Sequence, residues 1–244
     1  PYEPCYLYEA GIRPLEQYPI KGIIWYQGES NVSNADGYSE LFTAMIEGWR
    51  KAFRQDFPFY YVQLAPYARC PQRWGTTLIR EQQDRTLAVP KTGMVVITDL
   101  VDDVNNIHPQ LKKEVGQRLA RLAAAEVYGE EGNPYSPRYQ SMTVKKNKVE
   151  VVFSGAVDPL VAVGQECVGF EIAGEDRKFY PAEAIVDLAT KQLQVWNKEV
   201  SEPVAVRYAF HNYAEASLFD YYGLPVAPFR MRRSVICLET TVCR

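Results

Sequence analysis

Two histidines, His108 and His211, are the only imidazoles among the 244 residues, which argues against a His-rich metal site. A reaction that needs an imidazole has these two candidates. His108 stands in Asn106-Ile107-His108-Pro109, and proline is favoured at the first position of a helix. The imidazole is therefore expected on a rigid segment just ahead of a helix, where it can take a proton from a hydroxyl nucleophile. The nearby Asp99, Asp102 and Asp103 can orient it or serve as solvated loop charges. His211 follows a β-strand pattern and is read as a surface or structural residue. A second polar group, Gln27-Gly28-Glu29-Ser30-Asn31, carries a carboxylate, a hydroxyl and two amides around a glycine that lets the backbone turn sharply. A third, Gln63-Leu64-Ala65-Pro66-Tyr67, ends another apolar run. The five cysteines, Cys5, Cys70, Cys167, Cys237 and Cys243, form no C-x-x-C pair and are too scattered for a disulfide framework. They read as small buried hydrophobes or incidental thiols.

These groups follow elements that can bring them together. Gly22–Tyr26, Phe59–Leu64 and Met94–Thr98 are short apolar runs rich in aromatic and β-branched residues, as expected of strands buried on both faces. Between the first two, Leu41, Phe42, Met45, Ile46, Trp49 and Phe53 recur at helical spacing, which predicts an amphipathic helix over Tyr38–Phe53. Further helices are predicted over Leu78–Ala88, ended by Pro90, and over Gln110–Tyr128, with Gly129 as its stop. Alternating strands and helices of this length imply parallel strands joined by crossovers. In such sheets ligands bind beyond the carboxyl ends of the strands, where all three polar groups would lie.

The pattern changes after the turn-rich Gly129–Pro137. Met142–Lys145 and Lys148–Phe153 flank Lys146-Asn147 as a hairpin, and short strands are expected at Gly169–Ala173, Glu183–Leu188, Gln192–Trp196 and Val204–Ala209. The expected organisation is an α/β region over 1–135 and a β-rich accessory domain with a C-terminal tail over 136–244. Three parallel strands are fewer than the five or so of a doubly wound sheet, so the α/β region is expected to lack part of its N-terminal side. Pro1–Tyr8 does not read as a secretory signal, and the chain is expected to be a processed product or part of a longer protein.

Composition narrows the function classes. With 27 Lys plus Arg against 30 Asp plus Glu, the net charge of −3 argues against binding nucleic acid by bulk charge. Hydrophobic residues at 47% support a folded chain. The apolar runs are far shorter than the ~20 residues of a membrane helix, so no span is expected.

Trp25-Tyr26-Gln27-Gly28-Glu29-Ser30-Asn31, Phe59–Tyr67, Arg80-Glu81 with Gln83, Ile107-His108-Pro109, and Gly223-Leu224-Pro225 with Pro228-Phe229-Arg230 together resemble the sialate O-acetylesterases, which are SGNH-type carbohydrate esterases. The resemblance runs to about Arg230 and leaves Met231–Arg244 outside it. It implies a three-layer α/β/α esterase domain, only partly present here, followed by a mostly β accessory domain. The implied chemistry is removal of O-acetyl groups from sialic acids or related glycans through a serine, a histidine and an orienting carboxylate, with no cofactor. The histidine corresponds to His108, and the glutamate of the Q-G-E motif to Glu29. Asn105 and Asn106 stand where other SGNH enzymes carry an aspartate, which favours Glu29 over Asp99 or Asp103 as the orienting group. Gln27 and Asn31 are candidate hydrogen-bond donors to substrate, and Arg80 a candidate partner for a sialic acid carboxylate. The family's nucleophile motif is absent, so the serine is expected on an N-terminal companion segment or chain, with Ser30 as the lesser candidate. Deacetylation of acetylxylan or another polysaccharide, and a non-catalytic carbohydrate-binding or scaffold role, are the alternatives. The substrate class implies an extracytoplasmic location: periplasmic, secreted or lysosomal.

Overall fold

The computed structural model describes residues 3–156, 160–162, 166–187, 190, 192–213 and 216–232. It divides into two compact units, Pro1–Pro134 and Tyr135–Arg244.

The first unit alternates β1 (Ile23–Trp25), α1 (Tyr38–Phe53), β2 (Phe59–Val62), α2 (Gly75–Thr86), β3 (Thr92–Val95) and α3 (Lys112–Tyr128). The strands form a parallel sheet in the order β1-β2-β3, with Ile24 in register with Tyr60 and Tyr60 with Gly93. Successive side chains of β2 point to opposite faces. Phe59 and Tyr61 pack on α1, where Phe42 meets their rings edge-on at 5.7 and 5.0 Å. Tyr60 and Val62 join Val95, Ile97 and the Val115, Leu119 and Leu122 stripe of α3 in a separate core. The three layers are thus α1 and α2, sheet, and α3.

The boundaries differ from the sequence expectation for identifiable reasons. α2 starts at Gly75, ahead of the expected Leu78; its buried side is mostly polar, with Thr76, Thr77, Arg80, Gln82, Gln83 and Thr86 facing inward, so apolar spacing does not mark its first turn. α3 starts at Lys112 rather than Gln110 because the Gln110 amide donates to Asp102 Oδ1 at 3.1 Å and Leu111 is not helical. β3 pairs from Thr92 to Val95, and Val96 and Ile97 are buried just past the ladder.

The second unit contains β4 (Arg138–Lys145), β5 (Lys148–Ser154), β6 (Val161–Ala162), β7 (Phe170–Ala173), β8 (Phe179–Pro181), β9 (Glu183–Asp187), β10 (Gln192–Trp196), β11 (Ala205–Tyr208), β12 (Leu218–Phe219) and β13 (Phe229–Arg232). Two antiparallel four-stranded sheets, β4-β5-β10-β9 and β13-β11-β7-β8, share one core of Val149, Val151, Leu193 and Val195 against Phe170, Ile172, Val206 and Tyr208. The predicted hairpin turns at Lys146-Asn147, with Lys145 opposite Lys148 and Lys146 in the left-handed region at φ 59°. β6, β8, β12 and β13 have no counterpart in the sequence expectation. Leu188, Cys237, Cys243 and the tail from residue 233 lie outside the described residues.

Candidate active site

All three parallel strands deliver their polar groups to one edge of the sheet. After β1 the chain passes through Tyr26 and Gln27 to Gly28, then into a 3-10 turn over Glu29–Asn34. Gly28 has φ 156°, and a Cβ there would lie 3.1 Å from Ile79 Cγ2 and 3.4 Å from Leu64 Cδ1. Only glycine fits that crossing. Gln83 of α2 fixes the loop from below: its Nε2 donates to the carbonyls of Gln27 and Val62, each at 3.3 Å, and its Oε1 accepts the Leu64 amide at 2.7 Å. One buried amide therefore ties the ends of β1 and β2 to α2.

Glu29 lines a cleft of about 310 Å³ with Val32, Leu64, Tyr67, Cys70 and Ile107. The lining is largely apolar. Two phenols feel the Glu29 charge. Tyr26 is pushed up to about 12 by burial and then by Glu29, while Lys112 Nζ sits 4.7 Å over its ring. Tyr38 is likewise pushed up to about 12, mainly by burial. Both remain neutral at physiological pH.

His108 lies on the loop that follows β3, beside the cleft-lining Ile107. Three side-chain-to-backbone bonds brace this loop: Asp103 Oδ1 accepts the Asn105 amide at 2.8 Å, Asn106 Oδ1 the His108 amide at 3.0 Å, and Asp102 Oδ1 the Gln110 amide at 3.1 Å. Such local bonds stand in for the helix that the segment does not form. The bond from Gln110 holds the Asp102 carboxyl below its ordinary value. The imidazole is exposed, and among the described residues no hydrogen bond or ion pair joins it to Glu29 or to an aspartate. Asp99 is committed elsewhere: Arg118 Nη1 and Nη2 grip its two oxygens at 2.7 and 2.5 Å. Asp102 and Asp103 serve the loop backbone.

The remaining expected site residues separate. Gln27 Nε2 donates to Asn31 Oδ1 at 2.6 Å, and the Tyr38 hydroxyl lies 3.2 and 3.3 Å from the Gln27 carbonyl and Oε1. Gln27 and Asn31 thus brace the Glu29 turn across its base. Arg80, expected to meet a substrate carboxylate, is instead 1% exposed. Its Nη2 donates to Thr77 Oγ1 at 3.2 Å, and burial holds its pKa down at about 9. It is an interior residue of α2. His211 lies in the second unit, with Nε2 at 3.1 Å from Glu171 Oε2. Gln83, marked in the sequence only as part of the Arg80-Glu81 motif, braces the ends of β1 and β2. Cys70, read from sequence as a small buried hydrophobe or incidental thiol, lines the cleft, and no sequence signal marks it for that.

The first unit is thus a layered α/β unit with a cleft, a carboxylate and a histidine loop at the carboxyl edge of its parallel sheet. The family described as "Carbohydrate esterase, sialic acid-specific acetylesterase" matches residues 6–125. The mouse sialate O-acetylesterase is 30% identical over 253 residues, covering 91% of this chain and 46% of that protein. The rat sialate O-acetylesterase is 37% identical over 143 residues, or 51% of this chain and 26% of that one. Among solved structures, a carbohydrate acetylesterase from Xanthomonas citri superposes with a TM-score of 0.87 at 38% identity, over 93% of this chain and 54% of that chain. This chain belongs to the sialate O-acetylesterase family of carbohydrate esterases. It spans about half the length of the mouse and Xanthomonas citri relatives, and none of its helices is long and apolar enough to cross a membrane among the described residues.

Proposed function

We propose that this chain supplies the histidine and carboxylate half of a carbohydrate O-acetylesterase site, with the nucleophilic serine on a companion segment. The observation that carries the reading is His108 itself. Its backbone is pinned by Asn106, its imidazole is left unused by the protein, and it stands beside the cleft that Glu29 lines. A group held in place yet chemically uncommitted suits a general base.

In the reaction, His108 takes the proton of the serine hydroxyl as its oxygen bonds to the acetyl carbonyl carbon. The tetrahedral oxyanion collapses, the C–O bond to the sugar breaks, and the sugar oxygen receives the proton from His108. Water, deprotonated by His108, then releases acetate and restores the serine. Glu29, on the neighbouring loop of the same sheet edge, is the carboxylate assigned to favour the imidazolium that forms in both steps. The small, largely apolar cleft fits the acetyl methyl group.

O-acetylated sialic acid is the first substrate to test. Acetylxylan or another neutral glycan is a second reading, favoured by the burial of Arg80, which removes a cation from reach of a sialate carboxylate. An extracytoplasmic site of action follows from either substrate. The test is acetate release from both substrates by the chain alone and by the chain together with its companion. His108→Ala should lower kcat/KM of the assembled enzyme by about 10³-fold or more. Activity of the chain alone that disappears with Ser30→Ala would place the nucleophile in this chain and overturn the companion assignment.

A further inference from the structure

The three loops beyond the strand ends, residues 26–37, 63–74 and 96–111, carry five carboxylates, Glu29, Asp36, Asp99, Asp102 and Asp103, against two cations, Arg69 and Arg73. A cation that meets a substrate from these loops is one of these two. Arg73 holds its guanidinium 5.2 Å over the Trp74 ring. Arg69 is placed differently. It is exposed, next to Cys70 in the cleft wall that Pro66, Tyr67, Cys70 and Gln72 form. Two bonds join this wall to the histidine loop: the Ala68 amide donates to the Val104 carbonyl at 2.7 Å, and Arg69 Nε to Asn105 Oδ1 at 3.4 Å. Asn105 is itself oriented, because its Nδ2 donates to Asp103 Oδ1 at 3.2 Å. The Arg69 guanidinium is therefore held between the cleft wall and the loop that carries His108.

Only Nε is used in that bond. Among the described residues no carboxylate pairs with Arg69, and Nη1 and Nη2 have no hydrogen-bond partner. A planar guanidinium with two donors left over matches a carboxylate, which it takes in a forked pair of charge-assisted bonds. We propose that Arg69 binds the carboxylate of a sialic acid whose O-acetyl group enters the cleft, and so sets the preference for an acidic over a neutral acetylated sugar. The carboxylate and the acetyl ester belong to one monosaccharide. Neighbouring Cα atoms are about 3.8 Å apart, so a cation one residue from Cys70 is within a sugar's reach of the cleft. Glu29, Asp102 and Asp103 repel an anionic substrate, and a cation here offsets that repulsion. Arg69 thus supplies the charge that the burial of Arg80 withdraws. A neutral glycan needs no such group.

The inference rests on the reading of this cleft as an O-acetylesterase site, and its test compares two substrates that differ only in charge. Acetate release by the chain with its companion is measured on O-acetylated N-acetylneuraminic acid and on its methyl ester, in which the carboxylate is masked. Arg69→Met should lower kcat/KM for the acid about tenfold or more, through KM, and leave the methyl ester within about twofold. Arg69→Lys, which keeps the charge but not the fork, should lose less. Arg73→Met removes the same charge from the same loop and should leave the ratio of acid to ester unchanged. An equal loss on both substrates would make Arg69 a brace of the His108 loop through Asn105 and overturn the proposal. So would no loss on either, the same loss in Arg73→Met, or an unmodified enzyme that prefers the methyl ester. If no acetate is released from either substrate, the functional reading fails, and Arg69 is then decided by saturation-transfer NMR with N-acetylneuraminate and its methyl ester. A preference for the acid that Arg69→Met removes keeps the carboxylate site; binding without that preference, or no binding, sinks it.

Discussion

Gln83 Oε1 accepts the Leu64 amide at 2.7 Å in a fully buried setting, while the same side chain's Nε2 reaches the Gln27 carbonyl at 3.3 Å. One residue of α2 therefore sets the spacing between the loop that carries Glu29 and the loop that forms the opposite cleft wall. Gln83→Leu keeps the volume but strands the Leu64 amide, and a buried donor without a partner costs about 1–3 kcal/mol. The urea midpoint of the chain should fall accordingly. In the assembled enzyme kcat should fall with it, because the Glu29 turn loses its anchor. An unchanged midpoint would show that water takes over all three bonds of the Gln83 side chain.

Arg118 holds the loop after β3 from the other side. It donates to both Asp99 oxygens and also to the Val96 carbonyl at 2.5 Å, with only 11% and 16% of the Arg118 and Asp99 side chains exposed. Removing one partner leaves a largely desolvated charge alone, a change that is destabilising by roughly 3–5 kcal/mol in fully buried pairs and less at this exposure. Arg118→Met should therefore cost more than Asp99→Asn, which keeps a hydrogen-bond acceptor. Equal losses in a denaturant titration would contradict the bidentate geometry.

The parts of this arrangement that are legible in the sequence are those written in hydrophobic periodicity. Phe42, Ile46 and Phe53 form the buried stripe of α1, and its predicted span coincides with the observed Tyr38–Phe53. α2 is harder to place because Thr76, Thr77, Gln82 and Gln83 bury polar side chains that satisfy one another or the backbone, and periodicity reads such residues as a solvent face. The burial of Arg80 is hidden for the same reason, since its charge suggests a surface that its packing denies. His108 is marked in the sequence by Pro109. The Asp102, Asp103 and Asn106 turns that hold its loop are visible only in three dimensions. β12 has two residues and β8 three, too short for any alternation to register.

At Gly28 the backbone conformation and the space argue together. With φ 156° and only 3.1 Å between an added Cβ and Ile79 Cγ2, an alanine must shift α2 or the Glu29 turn. Gly→Ala substitution at positions of this kind costs more than the ~1 kcal/mol that alanine gains elsewhere by restricting the unfolded chain. Gly28→Ala should lower stability and, in the assembled enzyme, lower kcat beyond what the stability loss explains. Gly48→Ala in α1, where a Cβ meets nothing within 4 Å, is the control and should be neutral or stabilising.

In the second unit a single carboxylate links stability to pH. Arg207 Nε and Nη2 donate to Glu171 at 2.8 and 2.7 Å, and His211 Nε2 lies 3.1 Å from Oε2. Burial alone would push the Glu171 carboxyl up, but hydrogen bonds from His211 and Arg207 outweigh it and bring it down to about 2, from an ordinary 4.5. A folded-state value below the unfolded one stabilises the unit above pH 4.5, and that contribution is lost as the pH falls through 4.5 towards 2. A depression of this size corresponds to roughly 3 kcal/mol, and with both side chains only 13% exposed, solvent screening removes little of it. Arg207→Met withdraws the principal cation, so the Glu171 carboxyl should rise and the loss of stability should begin at higher pH. Urea midpoints measured at pH 7, 4 and 3 should therefore fall more steeply between 7 and 4 in Arg207→Met than in the unmodified chain. Parallel curves would show that Glu171 titrates in the folded unit as it does in the unfolded chain.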